Sequence, residues 1–166
     1  MAEFFKQVSE FATKAKISNE RVMRGATIKL FSSVIMATPV NQNPTQHGGG
    51  LRANWQLGGS SPASGVVNAF DEGSATASGV SSGVASATNW HEFTLANNKP
   101  EASAVEFGGY PKTPKKGSKV SKKGVKPAEY KILSAGGFSS AAPRGMVRVN
   151  AARFDAIVEQ MARARR

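Results

Sequence analysis

VMRGATIKLFSSVIMATPV, residues 22–40, sets Val22, Met23, Ala26, Leu30, Phe31, Val34 and Ile35 at the three- and four-residue spacing of one helix face. The helix must stop near Thr38, because Pro39 lacks an amide hydrogen and its ring crowds the residue before it. Upstream, Phe4, Phe5, Val8, Phe11, Ala12 and Ala15 keep the same spacing. Ser18 or Asn19 either caps a second helix or marks a kink within one long one. Gly25 costs about 1 kcal/mol in a helix interior relative to Ala, which makes it a weak point. The aromatic and methionine stripe reads as core or subunit contact rather than as a cofactor box.

Downstream the period changes. PVNQNPTQHGGG, residues 39–50, is a turn-rich loop with two prolines and three consecutive glycines. No Lys-Ser or Lys-Thr pair follows those glycines and no strand precedes them, which argues against a phosphate cradle and leaves His47 as an exposed loop residue. In LRANWQLGG, residues 51–59, Ala53, Trp55 and Leu57 alternate with Asn54 and Gln56, the period of a half-buried strand with Trp55 in the core. DEGSATASGVSSGVASAT, residues 71–88, has the Gly and Ser content of a loop, yet its alanines with Val80 and Val84 fit a closely packing helix; the helix is the reading taken here. WHEFTL, residues 90–95, alternates as a second strand, ended by Asn97-Asn98 and Pro100. EASAVEFG, residues 101–108, reads as a short helix closed by Gly108. Past Pro143 and Gly145, a last helix carries Val149, Ala152, Phe154, Ile157, Val158 and Met161, with Arg148, Arg153 and Arg163 available to its other side. The expected fold is α+β: a small antiparallel or mixed β-sheet packed with long N-terminal and C-terminal α-helices.

The 166 residues fit one domain spanning 1–166, since compact domains run to roughly 100–200 residues. Hydrophobic residues make up 40% and charged residues 20%, which excludes a disordered polyelectrolyte. No apolar run approaches the roughly 18–20 residues that span a bilayer. The opening MAEFFKQVSE has no basic stretch leading into an apolar one, so no secretory signal is expected there. There is no cysteine, which rules out disulfides and thiolate zinc sites and suits an intracellular origin. With His47 and His91 as the only histidines, neither a metal nor any other cofactor is expected.

The net charge is +11. Residues 112–131, KTPKKGSKVSKKGVKPAEYK, hold Lys112, Lys115, Lys116, Lys119, Lys122, Lys123, Lys126 and Lys131 against Glu129 alone, a net +7. With two glycines, two prolines and almost no large apolar side chain, this stretch reads as an exposed basic loop, 110–137. It is either an arm that touches DNA or an acidic protein surface, or a solvated insertion kept extended by its own charge. No aromatic residue interleaves the lysines before Tyr130, so the stacking pattern of a single-strand binder is missing. Arg163, Arg165 and Arg166 form a second cluster, at the negative end of the last helix.

No catalytic set emerges, so no enzymatic activity is expected. The chain has no Gly-x-Ser-x-Gly elbow, no His-Glu-x-x-His helix and no Walker sequence. Asp71-Glu72 lies in a Gly- and Ser-rich turn and reads as solvated, and His91-Glu92 faces opposite sides of a strand. Glu106 sits among Ala104, Val105 and Phe107 and needs a partner if buried, an arginine such as Arg52 or Arg148.

Three blocks stand in a fixed order: Thr38-Pro39-Val40, then Leu51-Arg52-Ala53-Asn54-Trp55; Leu95-Ala96-Asn97-Asn98-Lys99-Pro100, running on to Glu106-Phe107-Gly108; and Ala142-Pro143-Arg144-Gly145-Met146-Val147-Arg148, entering the last helix. Together with the flanking helices they resemble the neck, or tail-completion, family of long-tailed bacteriophages over nearly the whole chain. Two features depart from the family pattern. Asn41 and an extended loop stand where the family carries Asp-Thr-Gly, and Gly109–Ser140, with the lysine stretch, intervenes between the second and third blocks. The resemblance implies a structural virion protein without catalytic, cofactor or metal residues. It would be assembled in the bacterial cytoplasm and would sit at the head–tail junction as a homo-oligomeric, hexameric ring. A head-closure or connector protein would lie on one side, the tail terminator or tail tube on the other, with DNA in the lumen and no membrane. The candidate structural or interface residues are Arg52, Trp55, Glu106, Gly108, Pro143, Met146 and Arg148, and the eight lysines are candidate DNA or partner contacts. The alternative is a non-specific nucleic-acid-binding protein that uses the lysine-rich loop.

Overall fold

In the computed structural model the described residues are 2–40, 48–108, 138 and 142–164. The expected basic loop 110–137, with Lys112, Lys115, Lys116, Lys119, Lys122, Lys123, Lys126 and Lys131, lies outside them, as do His47, Arg165, Arg166 and the side chains of Phe4 and Phe5.

The elements in chain order are α1 (Ala2–Ala37), α2 (Gly50–Ala53), β1 (Trp55–Gly58), α3 (Ser74–Ser86), β2 (Thr94–Asn97), α4 (Pro100–Phe107), α5 (Arg148–Ala151) and α6 (Phe154–Arg163). The fold is α+β, with helices at both ends and a two-stranded antiparallel sheet between them. No helix among the described residues is long and apolar enough to cross a membrane.

α1 is one unbroken helix of 36 residues, about 54 Å long at 1.5 Å per residue. Neither Ser18 nor Asn19 divides it. It stops at Thr38 as the proline dictates, with the Thr38 amide closing on the Ile35 carbonyl. Gly25 is a point of close approach, because a Cβ there would lie 3.2 Å from Met161 Sδ on α6. α3 runs antiparallel to α1, with Gly73 beside Met36 and the α3 C-terminus bound by Arg24. The Arg24 guanidinium donates to the carbonyls of Val84 and Ala87, which as terminal helix carbonyls have no partner within α3.

The core contains Val34 and Ile35 of α1, Trp55, Val80, Ala102, Val105, Ala142 and Met146, with Leu30, Phe31, Leu57 and Leu95 packed against it. β1 and β2 pair in register Trp55↔Asn97 and Leu57↔Leu95. That register puts both leucines on the face that meets α3, where a Cβ on Gly83 would lie only 2.6 Å from Leu57 Cδ2.

Three expectations need correction. Leu51–Ala53 is a helical turn, and the strand begins only at Trp55. Three residues of alternation fit a turn of helix as well as a strand, and the tertiary demand on Arg52 described below decides for the turn. The second strand is Thr94–Asn97, displaced from WHEFTL, because the residues that face β1 are Thr94 to Asn97. The last helix is two pieces, α5 and α6, separated at Ala152-Arg153. The Asn150 carboxamide bonds back to the Met146 carbonyl at 2.7 Å, competing with a regular helical path. On α6, Ile157 is buried and Phe154, Val158 and Met161 are half-buried, so the apolar stripe does face the body.

Asp71 belongs to the fold and not to an idle turn. Its carboxylate accepts the amides of Thr76 at 2.7 Å and Ala75 at 3.4 Å, satisfying the open N-terminus of α3. Burial alone would raise its pKa; hydrogen bonds from Thr76, Gly73 and Ala75 outweigh that and hold the carboxyl below its ordinary 3.8. A lowered folded-state pKa stabilises above the unfolded value and is lost as pH falls through the folded one. Asp71→Ala is therefore expected to cost about 1 kcal/mol at neutral pH, a typical capping loss. In urea unfolding the gap from wild type should close below pH 3.8; a gap independent of pH would contradict the assignment.

Candidate functional site

α1 ends against the body, and its last carbonyls need donors. Arg52, carried by α2, supplies them. Its Nε donates to the Thr38 carbonyl at 2.9 Å, and Nη2 donates to Thr38 O at 2.6 Å and to Met36 O at 3.0 Å. Nη1 donates to the Glu72 carbonyl, tying in the approach to α3. A guanidinium set on three carbonyls also places positive charge at the negative end of α1. Among the described residues Arg52 thus has no carboxylate partner, and it does not reach Glu106.

Thr38 is fully buried. Its hydroxyl donates to Val34 O at 2.9 Å and accepts the Trp55 indole N–H at 2.7 Å. The same oxygen lies 3.4 Å from Met146 Sδ. Trp55 is 6% exposed and leads into β1. One threonine therefore joins the helix end, the start of the sheet and the third sequence block.

Glu106, on α4, holds the other side of that block. Its Oε2 accepts the Met146 and Val147 amides, both at 2.7 Å, and Oε1 accepts the Arg148 amide at 3.0 Å. These are the donors at the start of α5, so a carboxylate replaces the missing helical acceptors. Arg148 is the arginine that accompanies it, with Nε 3.7 Å from Oε1. Arg148 also donates to the carbonyls of Glu106 and Arg144 and lies over the Phe138 ring at 4.9 Å. Gly145 has φ +79°, and a Cβ there would sit 2.8 Å from Glu106 Oε2, so the carboxylate can approach only because that position is glycine. Gly108 closes α4 with its amide on Ala104 O, at φ +79°. Pro143 is exposed and lies within the turn closed by the Gly145 amide on the Ala142 carbonyl at 3.1 Å.

Asn54, in the sequence only a polar position of an alternating stretch, is fully buried. Its Nδ2 donates to Val67 O at 2.9 Å and its Oδ1 accepts the Asn98 amide at 3.2 Å. Nothing in the local pattern distinguishes it from an exposed strand asparagine. Arg24 too carries no local mark of its role, being one charge among the apolar positions of 22–40.

The seven candidate structural residues divide accordingly. Arg52, Trp55, Glu106, Met146 and Arg148 meet at one junction, Gly108 ends the helix that presents Glu106, and Pro143 stays on the surface. In the junction the acid accepts backbone amides and the two arginines donate to carbonyls. His91 and Glu92 are exposed and do not approach it. Among the described residues no three His, Asp or Glu side chains cluster as metal ligands, and two clefts lined by them, of about 450 and 370 Å³, are open at the surface. Compared with family models, curated proteins and solved structures, the chain finds no match.

Thr38→Val keeps the volume but leaves the indole N–H buried without an acceptor. It is expected to lower the free energy of unfolding by about 1–3 kcal/mol in chemical denaturation, with Thr38→Ser losing much less. Glu106→Gln turns an acceptor into a donor facing amides and should cost about 2–4 kcal/mol. Arg148→Ala, which removes a half-exposed ion pair, should cost about 1 kcal/mol. The reverse order would mean that the ion pair and not the amide cradle holds the block.

Proposed function

We propose that this chain is a structural subunit of a bacteriophage neck, a ring-forming protein that joins the DNA-filled head to the tail. The observation that carries the reading is the junction. The sequence blocks behind the resemblance are far apart in the chain, and their Thr38, Arg52, Trp55, Glu106, Met146 and Arg148 hold one another in place. Residues bound up in this way specify a shape. A shape repeated around an axis is what a ring subunit contributes, through different faces toward each neighbour.

On the same reading the lysine-rich stretch 110–137 lines the DNA path or reaches an acidic neighbouring ring. The copy number proposed is six, with a head-closure ring on one side and the tail terminator on the other.

Electron microscopy of the purified protein, with labelling of virions, tests the proposal. Closed rings in solution and label at the head–tail joint are expected. A protein that stays monomeric in the virion, or is absent from the neck, overturns it. A gel shift with duplex DNA separates the alternative. Binding by the isolated monomer that falls steeply with salt would favour a nucleic-acid-binding protein.

A further inference from the structure

The helix α1 outruns the body that it anchors. α3 and α6 run back along it and end near its middle, where Arg24 binds the end of α3 and Gly25 meets Met161. From Lys6 to Asn19 every residue is exposed except half-buried Ala15. Yet the apolar line does not stop there. Val8, Phe11, Ala15, Val22, Ala26 and Leu30 follow one side of the helix at spacings of three, four and seven residues. Ala26 on that line is 0% exposed and Phe11 is 74% exposed. The side that packs the core continues, unchanged in character, into solvent.

A second apolar surface lies at the far end. Residues 64–70 are exposed throughout, with Val66, Val67 and Phe70 prominent; Phe70 is 63% exposed. This stretch is no loose loop. Gln56 Nε2 and Asn98 Nδ2 hold Gly65 O, Asn98 Nδ2 also holds Ala63 O, and Asn54 Nδ2 holds Val67 O, all at 2.9–3.0 Å. Alternate carbonyls are thus fixed to the outer face of the sheet, so little ordering cost remains for binding.

The two surfaces also differ in charge. Residues 6–21 carry Lys6, Lys14, Lys16 and Arg21 against Glu10 and Glu20, a net +2. Residues 53–98 contain no Lys or Arg at all and carry Asp71, Glu72 and Glu92, a net −3 within a chain of +11. They cannot meet within one molecule. Phe70 packs on Gly50, and Gly73 lies beside Met36, about 38 Å along the helix from Phe11 at 1.5 Å per residue.

We propose that the free half of α1 packs, through Val8, Phe11 and Ala15, onto the Val66–Phe70 platform of a second copy of this chain. The contact is heterologous, one copy's helix on the next copy's platform, and so propagates around a ring or along a fibre. It deepens the ring reading by naming the subunit contact, but does not require that the ring sit in a phage.

The chain has no cysteine, so introduced ones report cleanly. Phe11→Cys mixed with Val67→Cys should cross-link into a dimer of the two variants, while each variant alone gives little. Phe11→Glu should leave the helix content of the dilute protein unchanged, since the side chain is 74% exposed, and weaken self-association about tenfold or more, as loss of an aromatic anchor does. Cross-linking of Phe11→Cys alone as strong as that of the mixture means helix-to-helix pairing and overturns the proposal. So does self-association indifferent to Phe11→Glu, or a wild-type protein monomeric at all concentrations. Rings that ignore Phe11→Glu sink this contact and spare the neck; the cross-link in a protein absent from virions does the reverse.

Discussion

A helix that ends against the body of a protein leaves its last carbonyls without partners inside the helix, and the rest of this structure is arranged around supplying their donors. α1 cannot continue past Thr38, because Pro39 follows. Arg52 provides the donors, and to do so it must sit on a turn of helix and not in a strand. That turn delivers Trp55 to the Thr38 hydroxyl, and the indole fixes where β1 starts. The strand in turn positions α4, whose Glu106 gathers the amides of the third block. Each step satisfies polar groups that burial would otherwise leave expensive. Among the described residues no buried side-chain polar atom lacks a partner.

Much of this architecture was legible, and the reasons are physical. The stop of α1 rests on the chemistry of proline, and the end of α4 on a glycine that can take positive φ. The helix at 74–86 was readable because Val80 and Val84 are one turn apart, and both are buried. What escaped was decided at a distance. Leu51-Arg52-Ala53 carries no local signal that its arginine is wanted at another helix end. Trp90 to Phe93 alternates as well as Thr94 to Asn97 does, and only the partner strand chooses between them. The apolar stripe of α1 read as core or contact; near the N-terminus it is not core, because the helices that cover it farther on end too soon.

Of the candidate site, the arginine beside Glu106 was legible as one of two, since a carboxylate among apolar neighbours must find positive charge or amide hydrogens. That amides would dominate was not, because it depends on the turn at Gly145, thirty-nine residues later. The charge arithmetic also changes meaning. A basic chain whose residues 53–98 hold no Lys or Arg is polarised as well as basic.

The continuity of α1 imposes a rule on how its length can vary. Each residue added between Lys6 and Asn19 would advance the outer part by about 1.5 Å and turn it by about 100°. The outer apolar line would then no longer share a side with Ala26 and Leu30. Insertions of seven residues nearly restore the alignment, since two turns take about 7.2. The helix behaves as a screw-threaded ruler: single-residue length changes in its free half are silent for the core and disruptive for whatever reads its outer face.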